Sequence, residues 1–124
     1  GLAAVLAAGA DPASVGVLVL DPVDQDGLGR QVASALEVPL VGLFGDPSRC
    51  NADNSGLAMF DALPRAQRPR FAGASHCDFE TPSDGLCRAL CDQSSRAPGE
   101  AERLSAAIVE ASVAAVRRMA EAVD

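Results

Sequence analysis

The sequence contains no lysine, no tryptophan and no tyrosine, and only four phenylalanines. A core with so few aromatics has to be built from Ala, Val and Leu, and apolar residues make up 48% of the chain, enough for one. All ten basic residues are arginines, set against 17 acids for a net charge of −7. They form no stripe or cluster, which excludes the electrostatic footprint of a nucleic-acid binder. No apolar run approaches the ~20 residues that a membrane-spanning helix needs. There is no initiator methionine, no charged leader and no cleavage site, so no signal peptide is legible. The length, 124 residues, suits one domain.

What is there begins at once. Leu2, Val5, Leu6 and Gly9 fall at i, i+3, i+4 and i+7, one face of a helix, with no residue ahead of them to cap it. A buried-type helix opening at residue 1 points to a truncated chain. Three apolar runs follow: Val15-Gly-Val-Leu-Val-Leu20, Pro39-Leu-Val-Gly-Leu-Phe44 and Arg70-Phe-Ala-Gly-Ala-Ser75. Runs without alternation fit strands buried on both faces. Helical patterns separate them, a weaker one near 28–36 and one that Asn54 or Ser55 caps, running through Met59, Phe60 and Leu63. The expected fold is α/β, with three parallel strands alternating with helices. A long amphipathic helix from about Gly99 to Ala122 ends it, with Leu104, Ile108, Ala111, Ala115 and Met119 as its apolar stripe. Glu100 and Glu102 in its first turn and Arg117 and Arg118 near its end match the helix dipole. Residues 92–99 read as a connector.

Each run ends in a polar residue: Asp21, Asp46 and His76, the last being the only histidine. Sites in open α/β sheets lie beyond the carboxyl ends of the strands. A histidine and two aspartates at one sheet edge are the material of a charge-relay constellation, in which a carboxylate holds one ring nitrogen and the other takes a proton.

Three segments then carry a resemblance: Leu20-Asp-Pro-Val-Asp24, Gly42-Leu-Phe-Gly-Asp-Pro-Ser-Arg-Cys-Asn51 and Gly73-Ala-Ser-His-Cys-Asp-Phe-Glu80. They resemble successive parts of α/β-hydrolases, most closely the chlorophyllase, platelet-activating-factor acetylhydrolase and cutinase-like polyester hydrolase branch. Gly1-Leu-Ala-Ala resembles the start of the helix that follows the nucleophile elbow in that fold. The resemblance implies that residues 1–124 are the C-terminal part of one α/β-hydrolase domain. It implies His76 as base and a small hydrophobic ester as substrate, with no metal or organic cofactor. The family elbow, G-x-S-x-G, occurs nowhere in the chain. By family order the nucleophile, the oxyanion hole and the first strands precede residue 1, and the chain by itself is expected to be inactive. An exposed sheet edge is then expected to make it associate.

Two aspartates compete as the acid. Chlorophyllase-like members place it where Asp21 stands, and cutinase-like members where Asp46 stands; the Asp-Pro-Val-Asp match favours Asp21, with Asp24 or neither as the remaining readings. Both Asp21 and Asp46 precede proline, a common turn beginning, so the loser is expected to be a turn residue near the site. Asp78 and Glu80 could tune the histidine, but acids beyond a strand end are more often solvated or cap the next helix.

Four cysteines point to two disulfides and an exported, secreted or periplasmic protein. Cys50 and Cys77 follow neighbouring strand ends, and cutinase-like enzymes carry a bridge in a similar place. Cys87 and Cys91 stand at i and i+4 of a short helical pattern beginning at Ser83, where a mutual bridge is geometrically awkward. Pairing of Cys50 with Cys87 or Cys91 stays open. His76, Cys77, Cys87 and Cys91 are also zinc-ligand types, although their spacing is not that of a finger and leaves Cys50 over. Two rivals to the esterase therefore remain: a non-catalytic α/β-hydrolase-like binding or structural domain, and a Cys/His zinc module.

Overall fold

The computed structural model describes residues 1–61, 63, 65–80, 82–83, 85–91 and 96–122. In chain order the helices are α1 (Leu2–Ala10), α2 (Leu28–Ala33), α3 (Ala58–Asp61), α4 (Gly85–Cys91) and α5 (Glu100–Glu121). Strands β1 (Val17–Leu20) and β2 (Leu40–Leu43) lie between the first of these. Three single-turn 3₁₀ helices complete the order: η1 (Arg49–Asn51), η2 (Ser55–Leu57) and η3 (His76–Phe79).

β1 and β2 pair in parallel, Val17 opposite Leu40 and Leu20 opposite Leu43. Both faces of this ribbon are covered, which is why neither strand alternates in polarity. Val17, Val19, Leu40 and Phe44 point to one face, where Val5 of α1, Ala33 of α2 and Met59 and Phe60 of α3 meet them. Leu18, Leu20, Val41 and Leu43 point to the other, against Ile108, Ala115 and Met119 of α5. The period-two division of side chains between the two clusters follows from the pleat. Gly42 leaves room for Phe60, whose ring meets Phe44 edge-on at a centroid distance of 5.2 Å. Of the expected α1 face only Val5 is fully buried; Leu2 and Leu6 are half-buried, Gly9 is exposed, and Ala8 packs beside Val5 instead.

The expectation of three parallel strands fails at the third run. The described residues form a two-stranded sheet, and Arg70–Ser75 is not a strand. The chain touches β2 through two isolated parallel bridges, Val41 with Gln67 and Phe44 with Arg70. Gln67 N–H donates to Leu40 O and Phe71 N–H to Phe44 O, and between them comes Pro69. Proline has no N–H to give the carbonyl it faces, so the ladder breaks where it would have become continuous. The pairing stretch also lies upstream of the apolar run. After Phe71 the chain turns, with Gly73 at a φ of +83°. The fold keeps an α/β character with a short parallel ribbon, and it ends in the long helix.

α5 buries the expected stripe: Ile108, Ala115 and Met119 are buried and Leu104 and Ala111 pack beside them. Its far side exposes Val109, Val113 and Val116. No helix among the described residues is long and apolar enough to cross a membrane. Of the connector 92–99, residues 92–95 lie outside the described residues.

Candidate active site

Asp21 directly follows β1, and its N–H still donates to Leu43 O at 2.8 Å, extending the ladder by one residue. Its φ is +37°, in the left-handed region and just ahead of Pro22. A non-glycine residue held there costs about 1–3 kcal/mol and persists only where the surroundings over-determine it. Here they do. The side chain is 0% exposed, and its two oxygens accept from Gly45 N–H at 3.0 Å and from Asn51 Nδ2 at 3.3 and 3.1 Å. His76 Nδ1 completes the set, 2.8 Å from Oδ2. A buried carboxylate is tolerable when its lone pairs are used in this way.

His76 opens η3, and the turn is pinned from behind. Ser75 caps it: the Ser75 N–H donates to Asp78 Oδ2 at 2.6 Å and its hydroxyl to the same oxygen at 3.2 Å. Asp78 Oδ1 accepts from Arg96 at 2.8 Å, a pair only 10% and 7% exposed. Asp78 is thus a buried capping residue, not a solvated acid, while Glu80 is exposed. An ionised carboxylate only accepts, so Nδ1 carries the proton towards Asp21 and Nε2 is left with its lone pair. Nε2 makes no hydrogen bond to a described residue, and it is not among the buried unpartnered atoms of a ring that is 26% exposed. It is open to solvent. The Asp21 hydrogen bond raises the pKa of His76 above its ordinary 6.5; partial burial opposes this, the charges of Asp21 and Glu80 add to it, and the chain's amino terminus works against it.

Asp46, the other candidate, does not reach the histidine. It accepts from Arg70 at 2.8 Å and from Gly73 N–H at 3.0 Å, holding the turn that precedes η3. The Arg70 guanidinium, helped by the Gly73 N–H, keeps its carboxyl below the usual 3.8 against a smaller effect of burial. Asp24 is buried and accepts from Gly29 and Arg30 N–H groups at the start of α2, a helix-capping role.

Asn51, named only as the end of a motif, is the residue that sequence reasoning missed. It is fully buried and its amide bonds Asp21, the Asp46 carbonyl, Ser48 N–H and Asn54 N–H. The signal for it was the turn composition of Asn51-Ala-Asp-Asn54, whose last three residues all have positive φ. Gly45 is the second. An added Cβ would lie 2.6 Å from Ala74 O, so only glycine lets the end of β2 approach the turn before η3 while donating to Asp21.

The four cysteines form two bridges, Cys50–Cys91 and Cys77–Cys87. This is the crossed pairing, and the expected proximity of Cys50 to Cys77 is met through α4 instead of by a direct bond. The sulfurs of Cys77, Cys87 and Cys91 lie within 4.8 Å of one another, yet each is already bonded to sulfur. A disulfide sulfur is not the thiolate that zinc takes as ligand.

A groove of about 640 Å³ lies at the opposite edge, at the start of β2, lined by Leu36, Val38, Pro39, Leu63 and Ala66 together with Glu37, Arg65 and Gln67. Among the described residues it holds no histidine, serine or cysteine. The polar constellation is at the carboxyl edge, where a smaller cavity of about 200 Å³ is walled by Asp46, Ser48, Ser75 and Arg96. No family model, curated protein or solved structure matches the chain.

Proposed function

We propose that His76 and Asp21 are the base and acid of a serine ester hydrolase whose nucleophile lies outside these 124 residues. The observation that carries this is the buried carboxylate at Nδ1 paired with a solvent-open Nε2. Asp21 fixes the ring's orientation and tautomer and stabilises the imidazolium. Nε2 takes the serine proton as the hydroxyl attacks an ester carbonyl, then returns it to the leaving alcohol. Strain stored at Asp21 is what a pre-organised site displays.

Among the described residues no serine hydroxyl bonds His76; Ser75 is committed to Asp78 and Ser55 accepts from the Asp24 N–H. Gly1 packs on Pro22, next to Asp21, and the charge at the amino terminus acts on His76. Leu86 and Leu90 on α4, exposed beside η3, suit an ester with an apolar acyl or alcohol group. Two disulfides suit a secreted or periplasmic setting.

The test is ester hydrolysis by the protein extended upstream as its gene encodes it. Turnover of short acyl esters that disappears in His76→Ala supports the proposal. An upstream segment with no elbow serine would instead favour the non-catalytic domain.

A further inference from the structure

α4 buries none of its residues. Cys87 and Cys91 are its only half-buried ones, one turn apart on one face. Its main contacts are η1 and η3, and besides the bridges Arg49 donates to its Leu90 carbonyl at 2.9 Å. The far ends of the two bridges are not arbitrary. Cys50 immediately precedes Asn51, which donates to Asp21, and Cys77 immediately follows His76, which is bonded to Asp21. One exposed helix is thus clipped covalently across both loops that hold the Asp21 carboxylate.

We propose that α4 is an oxidation-dependent clamp, and that closing its two bridges is what locks His76 and Asn51 onto Asp21. The core does not depend on it, because both apolar clusters are built from other elements. The reverse step is thiol–disulfide exchange with a dithiol reductant. Its thiolate attacks Cys87 Sγ, and Cys77 leaves as a thiolate and takes up a proton. The second reductant thiol then loses its proton and displaces Cys87, closing the reductant's own disulfide. Each protein bridge gains two electrons and two protons, and the reductant supplies both. Oxidation by a disulfide-bearing partner is the same exchange run backwards. A chain in a reducing compartment would hold a loose histidine, and one in an oxidising compartment a fixed one.

The consequence for turnover rests on the esterase proposal; the clamp itself does not, and the test separates them. The single histidine gives one imidazole signal, followed by nuclear magnetic resonance in the oxidised protein, after dithiothreitol, and in the variant carrying Cys77→Ser and Cys87→Ser. Amide exchange of β2 and α5 is measured alongside. The expected result is core protection retained while the His76 pKa falls back towards 6.5 and its Nδ1 signal loses the carboxylate-bonded position. In an active extended protein, turnover falls by about 10²-fold, the scale of a misplaced catalytic group. Retention of the raised pKa after both bridges open overturns the clamp. So does collapse of core protection together with the bridges, which would make them staples of the whole fold. Loss of the pairing in a protein without esterase activity upholds the clamp and rejects only the esterase.

Discussion

His76 Nδ1 lies 2.8 Å from Oδ2 of Asp21, a residue 55 positions earlier in the chain. The bond joins the end of β1 to a capped turn on the far side of β2, and it has a pH signature. His76 has a folded pKa raised above 6.5 by its carboxylate partner. A raised value means that the folded state holds the proton more tightly than the unfolded one. The stabilisation is then fully present below 6.5 and is lost as pH rises through the folded value. Urea midpoints measured across that window should fall with rising pH, and Asp21→Asn should flatten the fall. Activity should run the other way, appearing as the base loses its proton.

The two aspartates should separate cleanly. Asp21→Asn removes the charge that holds the histidine, so the His76 pKa should drop towards its ordinary value. Asp46→Asn weakens a half-exposed pair with Arg70, worth at most about 1 kcal/mol. It should leave the His76 titration nearly unchanged. Proton resonance of the one imidazole checks both variants.

Asn51→Ala should be among the most destabilising substitutions at this edge. It deprives Asp21 of a donor and leaves the Ser48 and Asn54 N–H groups without their acceptor. Buried groups orphaned in this way cost about 1–3 kcal/mol each, part of which relaxation recovers, so a loss of about 2–4 kcal/mol is expected from denaturant unfolding.

Among the described residues β1 pairs on one side only. Val17 and Asp21 donate towards β2, so the intervening Leu18 and Leu20 direct their backbone groups to the edge that has no strand among the described residues. Exposed edges of this kind recruit further strands. Sedimentation of the 124-residue chain should show concentration-dependent association. Leu18→Pro, which removes an edge N–H without touching the β1–β2 ladder, should reduce it. A monodisperse monomer at all concentrations would contradict the edge argument.

Much of this fold is readable from residue pattern. Val17–Leu20 and Leu40–Leu43 announce themselves because burial on both faces leaves no polar position in either. α5 does so through a stripe that keeps period 3.6 for five residues. The third run misleads because apolar content does not supply an N–H, and Pro69 withholds one where the ladder needs it. The site divides along the same line. His76 and Asp21 are legible as polar ends of segments, and the Asp21-Pro-Val-Asp24 match leans towards Asp21, but residue pattern does not decide against Asp46, since both precede proline. What brings Asp21, and not Asp46, to His76 is a left-handed φ at Asp21 with donors from Gly45 and Asn51, which lie 24 and 30 residues away. The bridge pairing depends on α4 crossing both loops, a tertiary placement that cysteine spacing does not encode.

The most direct test of the central claim is a single comparison of rates on a short acyl ester. It uses the gene-encoded protein extended upstream of Gly1, as wild type, His76→Ala, Asp21→Asn and Asp46→Asn. A base and its orienting acid should each cost about 10⁴-fold or more when removed, so the first two variants should be nearly inactive and Asp46→Asn close to wild type. Normal turnover in His76→Ala would contradict the account.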